Sequence, residues 1–225
     1  MMSYNIAIDG PAGAGKSTIA KALAKKMNLI YVDTGAMYRA MALYLLREQV
    51  NADDVEAVKT RCEEADITIR YEDGIQVVYL NGENVNAFLR TEEVGNMASK
   101  TSTQPAIRRK LVQLQQKLAA GSDCVMDGRD IGTCVLPNAD VKIYLTASSL
   151  VRAKRRYDEL TSKGEDCDLR KIQQDIEERD YRDMNRTESP LKQAQDAVFL
   201  DTSDLTIDQV IARMEEICKE KNTMK

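Results

Sequence analysis

Residues 10–18 read GPAGAGKST, and this stretch decides the fold. It follows the apolar run NIAI and precedes IAKALAKKM, whose apolar spacing predicts an amphipathic helix over Ser17–Met27. Gly10 to Ser17 fits the pattern G-x-x-x-x-G-K-[ST] in its expected place between a strand and a helix. Glycines let the backbone curl so that successive N–H groups point inward, and the helix N-terminus adds a partial positive charge. The stretch therefore predicts a loop that binds phosphate groups.

A loop of this kind predicts a nucleoside triphosphate site with bound Mg²⁺. Lys16 is expected to reach the β- and γ-phosphates, and the Ser17 hydroxyl to ligate the metal. Asp127, at the end of the apolar run in VMDGRD, is the second predicted metal group and acts through a water, unless the Asp-Gly pair only forms a turn. The residues predicted to bind the nucleotide are Gly10, Pro11, Ala12, Gly13, Ala14, Gly15, Lys16, Ser17 and Thr18.

The rest of the chain alternates strand-like and helical segments. The runs LIYVDTG, CVMDGR, VKIYLTA and AVFLDT join NIAI to give five strands, and the helical segments between them predict an α/β fold with a parallel sheet covered on both faces. Residues 66–85, DITIRYEDGIQVVYLNGENV, carry β-branched runs and two turn signals, which predict a small antiparallel insertion. A chain of 225 residues suits one main domain, residues 1–225, with this appendage.

Composition narrows the chemistry. The chain has no histidine, which excludes histidine-based triads and most catalytic zinc sites. The net charge of -4 gives no global attraction for nucleic acid, so we expect no nucleic-acid partner. No apolar run is long enough to span a bilayer, and the N-terminus lacks an export signal, so we expect a cytoplasmic protein without a membrane partner.

The phosphate-binding loop alone leaves switch GTPases, ATPase motors and small-molecule kinases open. The chain has neither an N-K-x-D nor a D-x-x-G motif, which counts against a GTPase. Arginines cluster in VRAKRR and in RDYRDMNR, where Arg179, Asp183 and Arg186 share one helical face. Such a face can be a solvated array of ion pairs. Beside a phosphate loop, the arginines are better interpreted as groups that neutralise charge during phosphoryl transfer.

Four motifs together, DGPAGAGKST, DTGAMYRA, VMDGRDIGT and RDYRDMNR, resemble the bacterial cytidylate kinases, a family of nucleoside monophosphate kinases. The resemblance runs from Asn5 to Ile217. It implies transfer of the γ-phosphoryl group of ATP to CMP or dCMP with Mg²⁺. We expect the protein to be a monomer. It also implies that the insertion, residues 62–102, is a monophosphate-binding region, and that a short helical lid covers about residues 152–168.

The resemblance also implies roles for individual side chains. The predicted contacts to the cytosine are Thr34, Ser99, Arg108 and Asp130, with Tyr38 as a wall of the pocket; Thr34 stands where some relatives have serine. Arg39, Arg129 and Arg186 are predicted to hold the α-phosphate of the acceptor, and Arg179 and Asp183 to read the ribose. The predicted catalytic residues are Lys16, Arg129 and the lid arginines Arg152, Arg155 and Arg156.

Elementary chemistry agrees with the resemblance at two points. An anionic phosphate acceptor needs no general base, so a chain without histidine loses nothing. A carboxylate, a hydroxyl and a guanidinium match the donor and acceptors on the edge of cytosine. Two alternatives stay open at this point: a kinase for UMP, AMP or a shikimate-like acid, and a regulatory or RNA-binding module that uses its phosphate loop as a switch.

Overall fold

The structure is a computed structural model that describes residues 3–223. The strands in this range are β1 Asn5–Asp9, β2 Ile30–Asp33, β3 Ile67–Glu72, β4 Ile75–Leu80, β5 Glu83–Asn84, β6 Cys124–Gly128, β7 Val141–Thr146 and β8 Val198–Asp201. The helices are α1 Lys16–Met27, α2 Thr34–Arg47, α3 Val55–Glu64, α4 Glu92–Thr101, α5 Pro105–Gly121, α6 Ser149–Ser162, α7 Leu169–Asn185 and α8 Ile207–Thr223. The chain also has a 3-10 turn at Asn86–Phe88 and a π-helical turn at Ile131–Val135.

The main sheet has five strands in the order β2-β6-β1-β7-β8. Strand β1 lies at its centre and pairs in parallel with β6 from Asn5↔Cys124 to Asp9↔Gly128, and with β7 on its other side. Strand β7 pairs in parallel with β8. Because β6 is buried along its whole length and β1 along all but its first residue, both read as short apolar runs rather than as alternating patterns. The predicted five-stranded parallel sheet is confirmed.

A second, antiparallel sheet has the order β3-β4-β5. Its long pairing runs from Ile67↔Leu80 to Glu72↔Ile75, and the chain turns at Asp73 and Gly74, both of which have positive φ. A positive φ at both central residues is the signature of the tight hairpin turn that an Asp-Gly pair favours. The predicted antiparallel insertion over residues 66–85 is confirmed.

The chain divides into two compact units. The first unit contains Ile30–Ser122 together with Ser3, and the second contains Tyr4–Leu29 together with residues 123–223. The predicted insertion, residues 62–102, falls within the first unit, and the predicted lid, residues 152–168, falls within the second. The prediction of a single domain over residues 1–225 stays a prediction, as do the bounds of the insertion and of the lid. Residues 1, 2, 224 and 225 lie outside the described residues.

None of the helices within residues 3–223 combines the length and the apolar character that crossing a bilayer requires.

Candidate active site

The phosphate loop in the second unit is shaped by its glycines. Gly10 follows β1 directly, and a Cβ at this position would lie 1.9 Å from the carbonyl oxygen of Leu145 on β7. Only glycine allows the two backbones to approach so closely. Gly15 has a φ of 82° and caps α1 without a side-chain hydrogen bond. The first N–H groups of α1 therefore point into the loop, as anion binding requires.

Lys16 lies inside this loop. Its side chain is buried, and its Nζ donates a hydrogen bond of 2.7 Å to the carbonyl oxygen of Pro11. Burial lowers the pKa of Lys16 well below its usual value, and the charge of Arg129 lowers it further, while the carboxylates of Asp127 and Asp9 oppose this shift. A bound polyphosphate would supply the negative charge that stabilises the ammonium form.

Ser17 and Asp127 meet at the end of β6. The Ser17 hydroxyl donates a hydrogen bond of 3.0 Å to Oδ2 of Asp127, and the Asp127 side chain is buried. A hydroxyl and a carboxylate are the hard oxygen ligands that Mg²⁺ prefers, so these two residues fit that ion. No group of three or more acidic or cysteine side chains in the described part of the chain could hold a metal ion by itself. A Mg²⁺ ion here would therefore take its other ligands from phosphate and water.

Arg152, a predicted lid arginine at the start of α6, lies against the phosphate loop with all three guanidinium nitrogens engaged by protein. Nε donates to the carbonyl oxygen of Ala147 at 2.8 Å, Nη1 to that of Ala12 at 2.7 Å, and Nη2 is 2.6 Å from Oδ2 of Asp180. The other carboxylate oxygen of Asp180 accepts a hydrogen bond of 3.2 Å from the backbone N–H of Ala12. Arg152 and Asp180 are both buried. This pair, on α6 and α7, thus binds both the backbone N–H and the carbonyl oxygen of Ala12 in the loop.

The two other lid arginines lie elsewhere. Arg155 donates to the carbonyl oxygen of Thr202, after β8, at 2.7 Å. Arg156 is exposed and forms an ion pair of 2.8 Å with Glu159 on the same helix. The structure thus gives Arg152, Arg155 and Arg156 three different surroundings, and their predicted catalytic role stays a prediction.

A second cluster of charges lies on α7, at Arg186 and on the segment after β6. Helix α7 ends at Asn185 and the backbone of Arg186 is extended, so the prediction that Arg186 shares a helical face with Arg179 and Asp183 is wrong. Nε of Arg129 donates a hydrogen bond of 2.8 Å to Oδ2 of Asp183, and Nη2 of Arg186 is 3.5 Å from Oδ1 of Asp130. The Arg186 side chain is only 4% exposed, and Asp183 and Asp130 are buried. Burial raises the pKa of Asp183, but Arg129, by its charge and hydrogen bond, and two nearby arginines together lower it below its usual value. Such burial does not fit a merely solvated helix face.

Four residues predicted to line the base pocket, Thr34, Tyr38, Ser99 and Arg108, lie in the first unit. Thr34, the first residue of α2, is buried, and Ser99 on α4 is half-buried. The guanidinium of Arg108 on α5 lies over the ring of Tyr38, 5.6 Å from its centroid, so the structure brings these two residues together. Nη1 of Arg108 also donates to the carbonyl oxygen of Ser102 at 3.2 Å. The guanidinium is therefore held in place against an aromatic face.

Arg39 is held by Asp33, which the sequence analysis missed. The Asp33 carboxylate accepts a hydrogen bond of 2.9 Å from the N–H of Ala36, so it caps the N-terminus of α2. It also forms ion pairs of 3.2 Å with Arg39 and with Arg90. Gln76 on β4 fixes the same residue: its Oε1 accepts from the backbone N–H of Asp33 at 2.8 Å. An aspartate directly before a helical segment is an N-cap signal, and that signal could have found Asp33.

Asp9 is a second residue that the sequence analysis missed. It ends β1 and is buried, and its two carboxylate oxygens accept hydrogen bonds of 2.7 Å each from the N–H groups of Ile131 and Gly132. These N–H groups begin the π-helical turn that follows Arg129 and Asp130. Burial raises the pKa of Asp9 to about 6, and the two backbone hydrogen bonds counteract part of that shift.

Comparison with known proteins identifies the family. A family model described as cytidylate kinase matches residues 6–220. The cytidylate kinase of Lactobacillus gasseri is 49% identical over 216 residues, which cover 96% of this chain and 94% of that protein. The enzyme of the same name from Ligilactobacillus salivarius is 49% identical over 217 residues, 96% of this chain and 97% of its own.

Among solved structures, shikimate kinase from Bacteroides thetaiotaomicron superposes with a TM-score of 0.51 at 14% identity, over 96% of this chain and 98% of that chain. An identity this low shows a shared fold and nothing more. The family model and the two relatives span almost the whole sequence, and the relatives match about half of its residues. On these matches, the chain belongs to the cytidylate kinase family.

Proposed function

We propose that this protein transfers the γ-phosphoryl group of ATP to CMP and dCMP, in the presence of Mg²⁺, and releases ADP with CDP or dCDP. Family membership supports a kinase that phosphorylates CMP. The observation that carries the proposed donor is the loop between β1 and α1. Its helix N-terminus is open to an anion, its lysine is buried, and it has a serine paired with an aspartate.

The residues proposed to bind ATP, the phosphoryl donor, lie in the second unit. The backbone N–H groups of Gly13 to Thr18 would bind the phosphates, and Lys16 would leave the carbonyl oxygen of Pro11 for a phosphate oxygen. Ser17 and Asp127 would hold Mg²⁺, Asp127 through a water. When bound, Mg²⁺ neutralises charge on the β- and γ-phosphates.

The proposed acceptor-binding residues are mainly arginines and carboxylates, and they occur in both units. In the second unit, Arg129 and Arg186 are proposed to hold the α-phosphate, while Arg179 and Asp183 read the ribose and Asp130 reads the base. In the first unit, Arg39 is the proposed third phosphate ligand. Thr34, Ser99 and Arg108 are the proposed base ligands in that unit, with Tyr38 as a wall.

The proposed reaction depends on the positions of the two substrates more than on proton transfer by a side chain. An oxygen of the acceptor's α-phosphate is already anionic, and it attacks the γ-phosphorus in line while the bond to the β-phosphate oxygen breaks. Lys16, Arg129 and the arginines of α6 are proposed to neutralise the charge that spreads over the transferring group. The predicted monomeric state and cytoplasmic location belong to the same proposal.

A coupled assay of ADP release, run with a panel of nucleoside monophosphates, tests the proposal. CMP and dCMP should give a far higher kcat/KM than AMP or GMP, because each buried polar group that a wrong base leaves unpaired costs about 1–3 kcal/mol. Omission of Mg²⁺ should abolish turnover with every acceptor. Equal kcat/KM values for CMP and AMP would contradict the proposed acceptor, and turnover without Mg²⁺ would contradict the proposed metal.

A further inference from the structure

The Asp33 carboxylate in the first unit is shared by two arginines. Its Oδ2 lies 3.2 Å from Nη2 of Arg39 on α2 and also 3.2 Å from Nη2 of Arg90, which lies between the 3-10 turn and α4. Its Oδ1 caps α2 by accepting from the N–H of Ala36. Two guanidinium groups that contact one carboxylate oxygen are neighbours, and together with that carboxylate they keep one net positive charge.

The backbone holds this pair in a defined place. A Cβ at Gly35 would lie 3.1 Å from both Nη1 of Arg39 and Oδ1 of Asp33, so a larger residue would crowd the ion pair. Arg90 is flanked by Leu89, which is buried, and by Thr91, whose hydroxyl accepts from the first turn of α4. The positions from which both side chains leave the backbone are therefore fixed.

Arg90 keeps most of its hydrogen-bonding capacity. A guanidinium has five N–H donors, and within the described residues the only hydrogen bond or ion pair of the Arg90 guanidinium is the one with Asp33. Its side chain is 66% exposed. The buried carboxylate of Asp33 is already paired with Arg39 at the same distance, so the need to pair a buried charge does not by itself explain Arg90. Arg47, in contrast, uses two nitrogens on Glu83, at 2.6 and 3.0 Å, and lies over the ring of Phe88.

We propose that Arg90 is a further acceptor-binding residue, which contributes a second guanidinium beside Arg39 to the phosphate of the nucleoside monophosphate. This inference rests on the proposed function, because Arg39 is assigned to that phosphate there. A phosphate monoester has three strong acceptor oxygens, so it can accept hydrogen bonds from Arg90 as well as from the arginines already assigned to it. Asp33 is then a positioning residue that keeps the two cations together until the phosphate arrives.

The test compares Arg90→Ala and Arg90→Lys with Arg47→Ala, a matched loss of an ion-paired arginine from the same unit. Kinetics with CMP and ATP are combined with calorimetric binding of CMP and of cytidine, which lacks the phosphate. For Arg90→Ala we expect about a tenfold or larger fall in kcat/KM for CMP, carried mainly by KM. Binding of CMP should weaken by a similar factor, while binding of cytidine and the KM for ATP stay within about twofold. Arg90→Lys should keep part of the affinity, and Arg47→Ala should behave as wild type.

Two results would overturn the inference. One is CMP binding within twofold of wild type in Arg90→Ala. The other is an equal loss of CMP and cytidine binding, which would show that the substitution only disturbs the unit. The calorimetry needs no turnover, so it decides this point even if the wild-type protein forms no CDP, a result that would count against the proposed function instead.

Discussion

Asp9→Asn should change how the free energy of unfolding depends on pH. The Asp9 carboxyl is buried, with its pKa raised to about 6, mainly by burial, whereas an aspartate in the unfolded chain titrates near 3.9. The folded protein therefore binds the proton more tightly than the unfolded chain does. Protonation of Asp9 therefore adds to the free energy of unfolding. This contribution is complete below the pKa of the unfolded chain and is lost as the pH rises through about 6, the pKa in the folded protein. Asparagine has no such dependence.

The magnitude follows from the two pKa values. The full difference between the protonated and ionised limits is about 3 kcal/mol. Between pH 5.0 and pH 7.5 the same linkage gives a loss of about 1.4 kcal/mol, because part of the titration lies below pH 5. The stability of wild type relative to Asp9→Asn should therefore fall by about that amount over this interval.

Urea unfolding at pH 5.0, 6.0 and 7.5, followed by circular dichroism, measures this difference directly. The exposed aspartate Asp158 on α6 supplies the matched control, since Asp158→Asn makes the same chemical change at the surface. A difference between wild type and Asp9→Asn that stays constant within about 0.3 kcal/mol across the three pH values would refute the reasoning. A difference that moves the other way would do so as well.

Lys16→Met should abolish turnover in a folded protein, because it removes charge stabilisation of about 3 kcal/mol or more from the transition state; a near-normal kcat would contradict the site. Asp180→Ala should lower the free energy of unfolding by about 3–5 kcal/mol in urea melts, since it leaves the buried Arg152 charge unpaired, and a loss below 1 kcal/mol would count against that pairing. Arg186→Ala should lower kcat/KM for CMP at least about tenfold, roughly 1.4 kcal/mol. Asp183→Ala should also change the ratio of CMP to dCMP turnover. Wild-type kinetics in both variants would contradict the proposal that this cluster binds the acceptor.

The sequence predicts the parts of the fold that depend on local pattern. The strand before the phosphate loop and the helix after it are found to within one residue, because the glycines and the apolar periodicity lie in one short stretch. Helices α3 and α4 were missed. Both begin after a capping side chain, Asp54 or Thr91, so a signal was present, but neither segment shows a long apolar face.

The site is less predictable because its partners are distant in sequence. Asp9 adjoins the most recognisable motif of the chain, yet the N–H groups that it accepts from are 122 and 123 residues away. Arg152 and Arg156 look alike as members of one arginine cluster. The structure buries the first and exposes the second, because only the first faces the carboxylate of Asp180 on α7. A single sequence shows which residue types can form such contacts, but it does not show which residues contact each other.

The parallel pairing of β1 also determines the order in which the chain can fold during synthesis. Asn5 and its partner Cys124 are 119 residues apart, so β1 leaves the ribosome long before β6 exists. At roughly 5–20 residues per second, that wait is about 6–24 s. Residues 30–122, by contrast, are continuous in sequence and are complete before β6 is made. For those seconds β1 has neither of its neighbouring strands, β6 and β7, and a nascent chain stalled before residue 123 would expose its unpaired edges to chaperones.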